Sequence, residues 1–289
     1  MILTRIYAAL RADLDATGAE LDRQIRSVTA GRQELAGQYE RLRALIEQLR
    51  SVRGKLLRPV LVLLAARSAG SASACPAVIQ LAAATELLHS ASLIHDDIID
   101  QTDVRREQVA VHKRFGTQMA VLIGDVLYAQ FFTILARLPV ADAVRVALFE
   151  RFCAITRDMC LGEIVQQGAL RGELPVRERL YHDVIDSKTA GLMSGCCYGG
   201  ALAAGVGADR AAAYARFGRA FGMVFQLIDD YLDGDAVYGD RAALPGRARR
   251  TADEARAELD GFEPGTATEH LASLLRYTLA RPRHEAAAY

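Results

Sequence analysis

Apolar residues recur three and four positions apart along most of this chain, and no convincing run alternates β-branched and polar residues. This spacing is typical of amphipathic helices and predicts an all-α protein. The predicted helices cover residues 3–15, 18–49, 56–69, 76–103, 117–136, 141–168, 176–206, 209–234 and 266–281.

The breaks between these helices are short clusters of Gly, Pro and small polar residues, and none has the length of a domain linker. The sequence therefore predicts a single helical domain over residues 1–289. Residues 234–265 mix turn residues with basic and acidic clusters, which predicts irregular structure there.

The composition limits the classes of function. The 289 residues carry 35 Lys plus Arg and 35 Asp plus Glu, so no overall field attracts nucleic acid. The five cysteines form no C-x-x-C pair, which is typical of buried thiols in a reducing compartment. Charge interrupts the first apolar stretch too early for a secretion signal, and the uncharged segment 189–208 is dominated by small residues. We expect a complete, cytoplasmic chain with no transmembrane segment and no nucleic-acid partner, in which segment 189–208 is a buried helix.

Two acidic runs, DDIID at 96–100 and DDYLD at 229–233, are the most informative feature. A helix brings residues i and i+4 onto one face, so the first and last aspartates of each run would project together. Like charges in this arrangement destabilise a helix unless a cation lies between them. Oxygen ligands without a Cys or His cluster suit Mg²⁺, which proteins usually hold with one or two carboxylates and substrate phosphates. A solvated acidic face is a common explanation for one such run, but a poor one for two.

Basic residues accompany the acidic runs along the sequence, namely Lys55, Arg58, His89, Arg105, Arg106 and Lys188. A diphosphate needs such fixed cations as well as metal. With these residues the sequence resembles the trans-isoprenyl diphosphate synthases, the polyprenyl synthetase family. The resemblance rests on GKLLRP, ELLHSASLIHDDIIDQTDVRRE, FGTQMAVLIGDVLYAQFF, GEIVQQ, DSKTAGL and FGMVFQLIDDYLD, which follow the family's order over residues 54–233.

The resemblance implies an isoprenoid synthase type I helical bundle around a central cavity, and a homodimer. It implies a prenyltransferase that condenses isopentenyl diphosphate with an allylic diphosphate, using three Mg²⁺ ions with bound diphosphate. Ionisation of the allylic group builds negative charge on the leaving group, which metal ions and fixed cations stabilise, so no side-chain nucleophile is required.

Residue roles follow from the same resemblance. The implied metal ligands are Asp96, Asp97, Asp100, Asp229 and Asp233, and the implied catalytic residues are these five with Asp230 and Lys188. Arg105 and Lys188 would contact the allylic diphosphate, with Thr189 and Gln226 nearby. The implied isopentenyl diphosphate pocket consists of Lys55, Arg58, His89 and Arg106, and Gln166 would line the cavity near the first run.

Product length depends in this family on the residues one turn before the first acidic run, where bulky aromatics stop chain growth early. This sequence has Ala91 and Ser92 there and no insertion within DDIID. The resemblance therefore implies an open tunnel and products of geranylgeranyl length or longer, with a polyprenyl quinone side chain as the leading expectation. Candidates for a floor farther down the tunnel are Leu127, Gln130 and Phe131.

The sequence departs from the family at two places. Glu107 stands where the family usually has glycine, and VAVH replaces a Pro-Thr turn, which predicts a reshaped isopentenyl pocket. After Asp233 the family has a longer loop with two lysines, and this chain has GDAVYGDRAALP. Either Asp240 replaces the first lysine, or residues 241–245 are a shortened second pair with Arg241 as the cation.

Two other functions compete with elongation. A terpene cyclase or atypical coupling enzyme would ionise the same allylic group, but its second motif is usually based on Asn, Ser and Glu, and DDYLD argues against a cyclase. A regulatory subunit of a heteromeric synthase would explain the altered loop and Glu107. Such subunits commonly lose motif aspartates, and all of them are present here.

Overall fold

The computed structural model describes residues 2–29, 56–71, 73–105, 108–175, 177–233 and 241–281. Its helices are α1 Ile2–Ala9, α2 Arg11–Thr29, α3 Leu57–Ser68, α4 Pro76–Ile99, α5 Val111–Phe115, α6 Thr117–Ala136, α7 Asp142–Leu170, α8 Glu178–Ile185, α9 Gly191–Ala203, α10 Ala208–Asp233, α11 Leu244–Leu259 and α12 Thr266–Leu279. A π-helical turn, Asp186–Ala190, joins α8 to α9, and a 3₁₀ turn, Arg241–Ala243, precedes α11. Two short strands, β1 Val104–Arg105 and β2 Gln108–Val109, pair antiparallel after α4.

The prediction of an all-α protein is confirmed, and most predicted helices have bounds close to the observed ones. Helix α4 ends at Ile99 rather than at residue 103, because Gln101 adopts a left-handed conformation with a φ of 53°. The predicted helix 176–206 is divided by the π-helical turn, and the first break lies at Leu10. The part of predicted helix 18–49 beyond residue 29 lies outside the described residues.

Helix α11 occupies a segment for which the sequence predicted irregular structure. Pro245 and Gly246 suggested a loop, but the proline lies in the first turn, where a helix does not need its missing N–H. An apolar face at helical spacing was present in the sequence, and it packs against α10. Its buried residues are Leu244, Ala248, Ala252, Ala255 and Leu259.

The centre of the molecule is α9, in which every residue from Leu192 to Leu202 is buried. It packs against α3, α7 and α10. The prediction of a buried helix for most of the uncharged segment is thus confirmed. Two other helices, α4 and α6, have the length and hydropathy of membrane spans. In the 18-residue apolar segment of each helix, 67% of α4 and 39% of α6 is buried inside the protein. These properties are shared by core helices, and α4 and α6 pack against each other.

Candidate active site

Both acidic runs lie at the C-terminal ends of helices. Asp96 and Asp97 are in the last turn of α4, Asp100 caps that helix, and α10 ends at Asp233. A helix C-terminus carries partial negative charge and therefore disfavours carboxylates. The position of the runs adds to the repulsion within them, and both effects call for a nearby cation.

The two helix ends border one polar cavity with a volume of about 420 Å³. Asp96 and Asp100 line it from the first run, and Asp229 and Asp230 from the second. Most of the predicted substrate-binding residues line the same cavity, namely Arg58, His89, Arg105, Gln166, Lys188, Thr189 and Gln226. Lys55 and Arg106 lie outside the described residues, as do Glu107 and Asp240.

The remaining two aspartates are placed differently. Asp97 is buried, and its Oδ1 accepts a hydrogen bond of 2.5 Å from Nε of Arg105. It is not among the residues that line the cavity, so in this structure Asp97 holds Arg105, whose side chain lines the cavity. Asp233 is exposed at the end of α10.

The π-helical turn brings Lys188 and Thr189 into the cavity wall. Glycines on the two flanking helices allow this close approach. A Cβ on Gly162 of α7 would lie 2.9 Å from Cβ of Ser187, and a Cβ on Gly222 of α10 would lie 2.6 Å from Cα of Ala190. Both distances are too short for a real side chain, so the two glycines fix the depth at which the turn sits.

Lys188 is held by residues of α7. Its ammonium forms an ion pair with Glu163 and donates to Oε1 of Gln166 at 2.9 Å. Lys188 contacts Oε2 of Glu163, and the other carboxylate oxygen, Oε1, accepts a hydrogen bond of 2.9 Å from Gln167. The buried Glu163 was not predicted as a site residue, although it belongs to the GEIVQQ segment that carries the resemblance.

Asp230 is held from two sides. Its Oδ2 accepts a hydrogen bond of 2.5 Å from Tyr181 of α8, and its Oδ1 accepts one of 2.7 Å from Gln226. Gln226 also accepts a hydrogen bond of 2.9 Å from the hydroxyl of Thr189. Tyr181 was missed from the sequence, although it lies seven positions before Lys188, at a spacing that shares a helix face.

Burial disfavours the charged form of the cavity carboxylates. It raises the pKa of Asp96 to about 6, against the opposing charge of Lys188. It also raises the pKa of Asp229 to about 6, against the opposing charge of Arg281, a residue that the sequence had not indicated. Burial and the nearby Glu163 raise the pKa of Asp100 as well. The cost of removing these carboxylates from water therefore exceeds the stabilisation that the surrounding cations provide.

This donor set fits Mg²⁺ shared with a ligand. Within the described ranges, no three His, Cys, Asp or Glu side chains are grouped closely enough to hold a metal ion on their own. Mg²⁺ is usually bound through one or two carboxylates, with waters and phosphate oxygens completing its octahedron. The carboxylates at the two helix ends provide such partial sites on either side of the polar cavity.

A second, largely apolar cavity of about 230 Å³ adjoins the polar one. Ser92, Asp96 and Lys188 line both cavities. The apolar part is lined by Ile99, Tyr128, Met159, Cys160 and Ile164.

The two predicted length-setting residues are placed differently. Ser92 borders both cavities, whereas Ala91 is fully buried in the core and is not among the lining residues of either. The reason is helical geometry, since residue i−4 lies about 40° around the helix from Asp96 and residue i−5 about 140°. Of these two residues, only Ser92 lines the apolar cavity.

The candidate floor residues line neither of the two cavities. Leu127 and Phe131 are buried in the core, and Gln130 donates to Oε1 of Gln24 on α2 at 2.7 Å. Tyr128, on the same helix as these three residues, lines the apolar cavity. Its ring lies 5.6 Å from that of His95, so it faces α4.

Arg241 is turned toward the C-terminal end of α10. It is one of the two candidates to replace the family's loop lysines. Its Nε and Nη2 donate to the carbonyl of Tyr231 at 3.0 and 2.6 Å. In this structure its charge therefore stabilises the C-terminus of α10. It is not among the residues that line the polar cavity.

The sequence is similar to those of known proteins. A family model described as polyprenyl synthetase matches residues 39–244. A short chain isoprenyl diphosphate synthase of Methanothermobacter thermautotrophicus is 37% identical over 202 residues, which cover 68% of this chain and 59% of that protein. Heptaprenyl diphosphate synthase component 2 of Geobacillus stearothermophilus is 35% identical over 234 residues, which cover 81% of this chain and 67% of that protein.

The fold is also similar to that of a solved structure. The crystal structure of a polyprenyl synthase from Caulobacter crescentus, complexed with calcium and isoprenyl diphosphate, matches with a TM-score of 0.80 and 25% identity. The match covers 96% of this chain and 98% of that one. In sequence, by contrast, this chain spans less than two thirds of the archaeal relative.

Proposed function

Because this chain belongs to the polyprenyl synthetase family, we propose that it is a Mg²⁺-dependent trans-prenyltransferase that condenses isopentenyl diphosphate with an allylic diphosphate. The observation that supports this most strongly is the convergence of both acidic runs on one cavity with four basic side chains around it and a fifth behind an aspartate, beside an apolar cavity. The basic side chains are Arg58, His89, Arg105 and Lys188 around the cavity, and Arg281 behind Asp229. A diphosphate and a hydrocarbon chain on the same substrate match these two environments.

The polar cavity would bind the two diphosphates. Mg²⁺ ions, three in the proposed complex, would supply positive charge to the leaving oxygens of the allylic diphosphate. Lys188, which Glu163 and Gln166 hold at the cavity wall, and Arg105, which Asp97 holds, would donate hydrogen bonds to the same diphosphate. Fixed cations in a site that excludes water stabilise the developing charge better than water does.

The bond changes follow from this binding. The allylic carbon–oxygen bond breaks and its electron pair leaves with the diphosphate. The double bond of isopentenyl diphosphate then forms the new carbon–carbon bond, and the proton lost from the adduct passes to the released diphosphate. Asp230, held by Tyr181 and Gln226, would position Gln226 and Thr189 beside the reacting carbon.

The apolar cavity supports products of geranylgeranyl length or longer. Ser92 leaves its entrance wide, and the lining residues Ile99 and Ile164 are 43% and 66% exposed, so the cavity is not closed on that flank. Relatives of this chain are named for products from short-chain to solanesyl and nonaprenyl diphosphates. Within the proposal, Tyr128 and Met159 are the large side chains that would limit the bound chain.

We further propose that the protein is a cytoplasmic homodimer. Apolar side chains on α6 and α7 are exposed to solvent, namely Val121, Leu122, Leu161 and Ile164. Exposed apolar side chains are typical of interaction surfaces, and a second copy would cover them and close the flank of the apolar cavity. Size-exclusion chromatography with light scattering tests this, and a monomeric mass for the purified chain would contradict it.

A second candidate is the regulatory or product-setting subunit of a heteromeric synthase. The relative named component 2 supports it, and the same exposed patch would then bind a different subunit. A chain that elongates only after its partner is added would favour this candidate over the homodimer.

The decisive experiment incubates the purified chain with labelled isopentenyl diphosphate, an allylic primer and Mg²⁺, and separates the dephosphorylated products by chromatography. We expect products longer than the primer, and loss of activity with a chelator. An Asp96→Ala variant should lower turnover by about 100-fold while remaining folded, since losing a metal ligand should cost at least as much as losing a residue that only orients one. Diphosphate release without elongation would indicate a cyclase-type reaction, and no release at all would leave only a binding protein.

A further inference from the structure

The second acidic run has a cation behind it. Arg281 follows the last helix, α12, and its side chain has no exposed surface. Its Nη2 lies 3.0 Å from Oδ1 of Asp229, and it is not among the residues that line the polar cavity. The guanidinium therefore contacts Asp229 from the side away from the ligand.

The two oxygens of Asp229 face different surroundings. Oδ1, next to Arg281, is buried, whereas the side chain as a whole is 18% exposed and lines the cavity. A carboxylate held through its buried oxygen presents the other oxygen in a fixed direction. Arg281 thus constrains the rotation of the aspartate without occupying the ligand side.

Other contacts fix Arg281 itself. Its Nη2 donates to the carbonyl of Phe225 at 3.3 Å, and its guanidinium carbon lies 4.8 Å from the centre of the Phe225 ring. Phe225 is one helical turn before Asp229 on α10, and it lines the cavity. The arginine is therefore tied to the same helix face that carries the aspartate.

We propose that Arg281 is a positioning residue for metal binding at the second acidic run, acting through Oδ1 of Asp229. The proposal rests on the function proposed above, since it assigns a metal to Asp229. Side chains that orient metal ligands in this way typically change metal affinity by 10- to 100-fold when they are removed. Their effect requires the ligand through which they act.

The test measures Mn²⁺ binding in the presence of inorganic diphosphate, by calorimetry and by the electron paramagnetic resonance signal of free Mn²⁺. We expect Arg281→Met to weaken Mn²⁺ binding by about 10- to 100-fold relative to the wild-type chain. The matched control is Arg276→Met on α12, because Arg276 is exposed and contacts Ser273. It should bind Mn²⁺ like the wild type.

A double-mutant cycle separates positioning from a structural role. In an Asp229→Asn background, Arg281→Met should change Mn²⁺ affinity by less than about 2-fold, because the two residues act as one unit. Equal effects in both backgrounds, or an Arg281→Met chain with wild-type affinity, would overturn the proposal. If Arg281→Met does not fold, Arg281→Gln removes the charge with a polar side chain, and the same two comparisons decide. A wild-type chain that binds no Mn²⁺ with diphosphate would instead overturn the metal site on which the proposal rests.

Discussion

Replacing Asp96 by Asn should stabilise the protein in the absence of metal. Asp96 is desolvated at the end of α4, beside Glu163 and Asp100, and its nearest opposing charge is Lys188. Asparagine has the same shape without the charge, so the variant removes the desolvation penalty and leaves the packing unchanged. A residue that is costly to the fold and needed by the ligand is typical of an active site.

The magnitude follows from the pKa. Burial raises the pKa of Asp96 from the ordinary value of 3.8 to about 6. Between these values the folded chain retains a proton that the unfolded chain has lost, so the free energy of unfolding falls as the pH rises through this window. Since one pKa unit corresponds to about 1.4 kcal/mol, the penalty above pH 6 is at most about 3 kcal/mol. Asp96→Asn should recover up to this amount above pH 6 and almost none below pH 4.

Urea unfolding followed by circular dichroism, with a chelator and at fixed protein concentration, measures the difference at several pH values. Asp253→Asn serves as the control, because Asp253 is exposed on α11 and its substitution should change the free energy of unfolding by less than about 0.5 kcal/mol. Mg²⁺ with inorganic diphosphate should then stabilise the wild type more than Asp96→Asn. An Asp96→Asn variant no more stable than wild type at pH 8, or a gain that does not depend on pH, would refute the reasoning.

Three further variants test other parts of the site. Ser92→Phe should shorten the main product while diphosphate release continues, and an unchanged product distribution on chromatography would contradict the assignment of Ser92 to the tunnel entrance. Tyr181→Phe removes the hydrogen bond to Asp230 and should lower kcat by about 10-fold, as expected for a bond to a charged group. The circular dichroism spectrum should be unchanged, and full activity would show that this bond is dispensable. Gly222→Ala places a Cβ against Ala190 and should cost about 1–3 kcal/mol in urea unfolding, a loss that would be absent if the π-helical turn could move aside.

The sequence predicted those parts of the site that depend on local geometry. The spacing within each acidic run was enough to infer a cation, and the order of motifs was enough to infer the family. The structure adds how two adjacent aspartates differ in placement. Asp97 is buried and binds Arg105, whereas Asp96 lines the cavity. One residue of spacing also separates Ser92 at the cavity from Ala91 in the core.

Contacts between distant segments could not be predicted from spacing. Glu163 meets Lys188 only because α7 approaches the π-helical turn, and Arg281 meets Asp229 only because α12 packs against α10. No local pattern marks either partner. Helix α11 was missed for a different reason: its small alanine face is a weak hydrophobic signal beside the charged residues and the early proline.

The π-helical turn places one extra residue in the wall of the active site. Its hydrogen bond runs from the amide of Gly191 back to the carbonyl of Asp186, so the turn holds one residue more than an α-helical turn would. Deleting one residue there would close the turn into a continuous α-helix and leave α8 and α9 in nearly the same relative orientation, because a π-helical turn accommodates its extra residue locally. Tyr181 would stay beside Asp230, but the places of Lys188 and Thr189 at the cavity wall would change. The number of residues in this turn therefore determines which side chains reach the cavity, and a single-residue deletion here should alter catalysis far more than it alters folding.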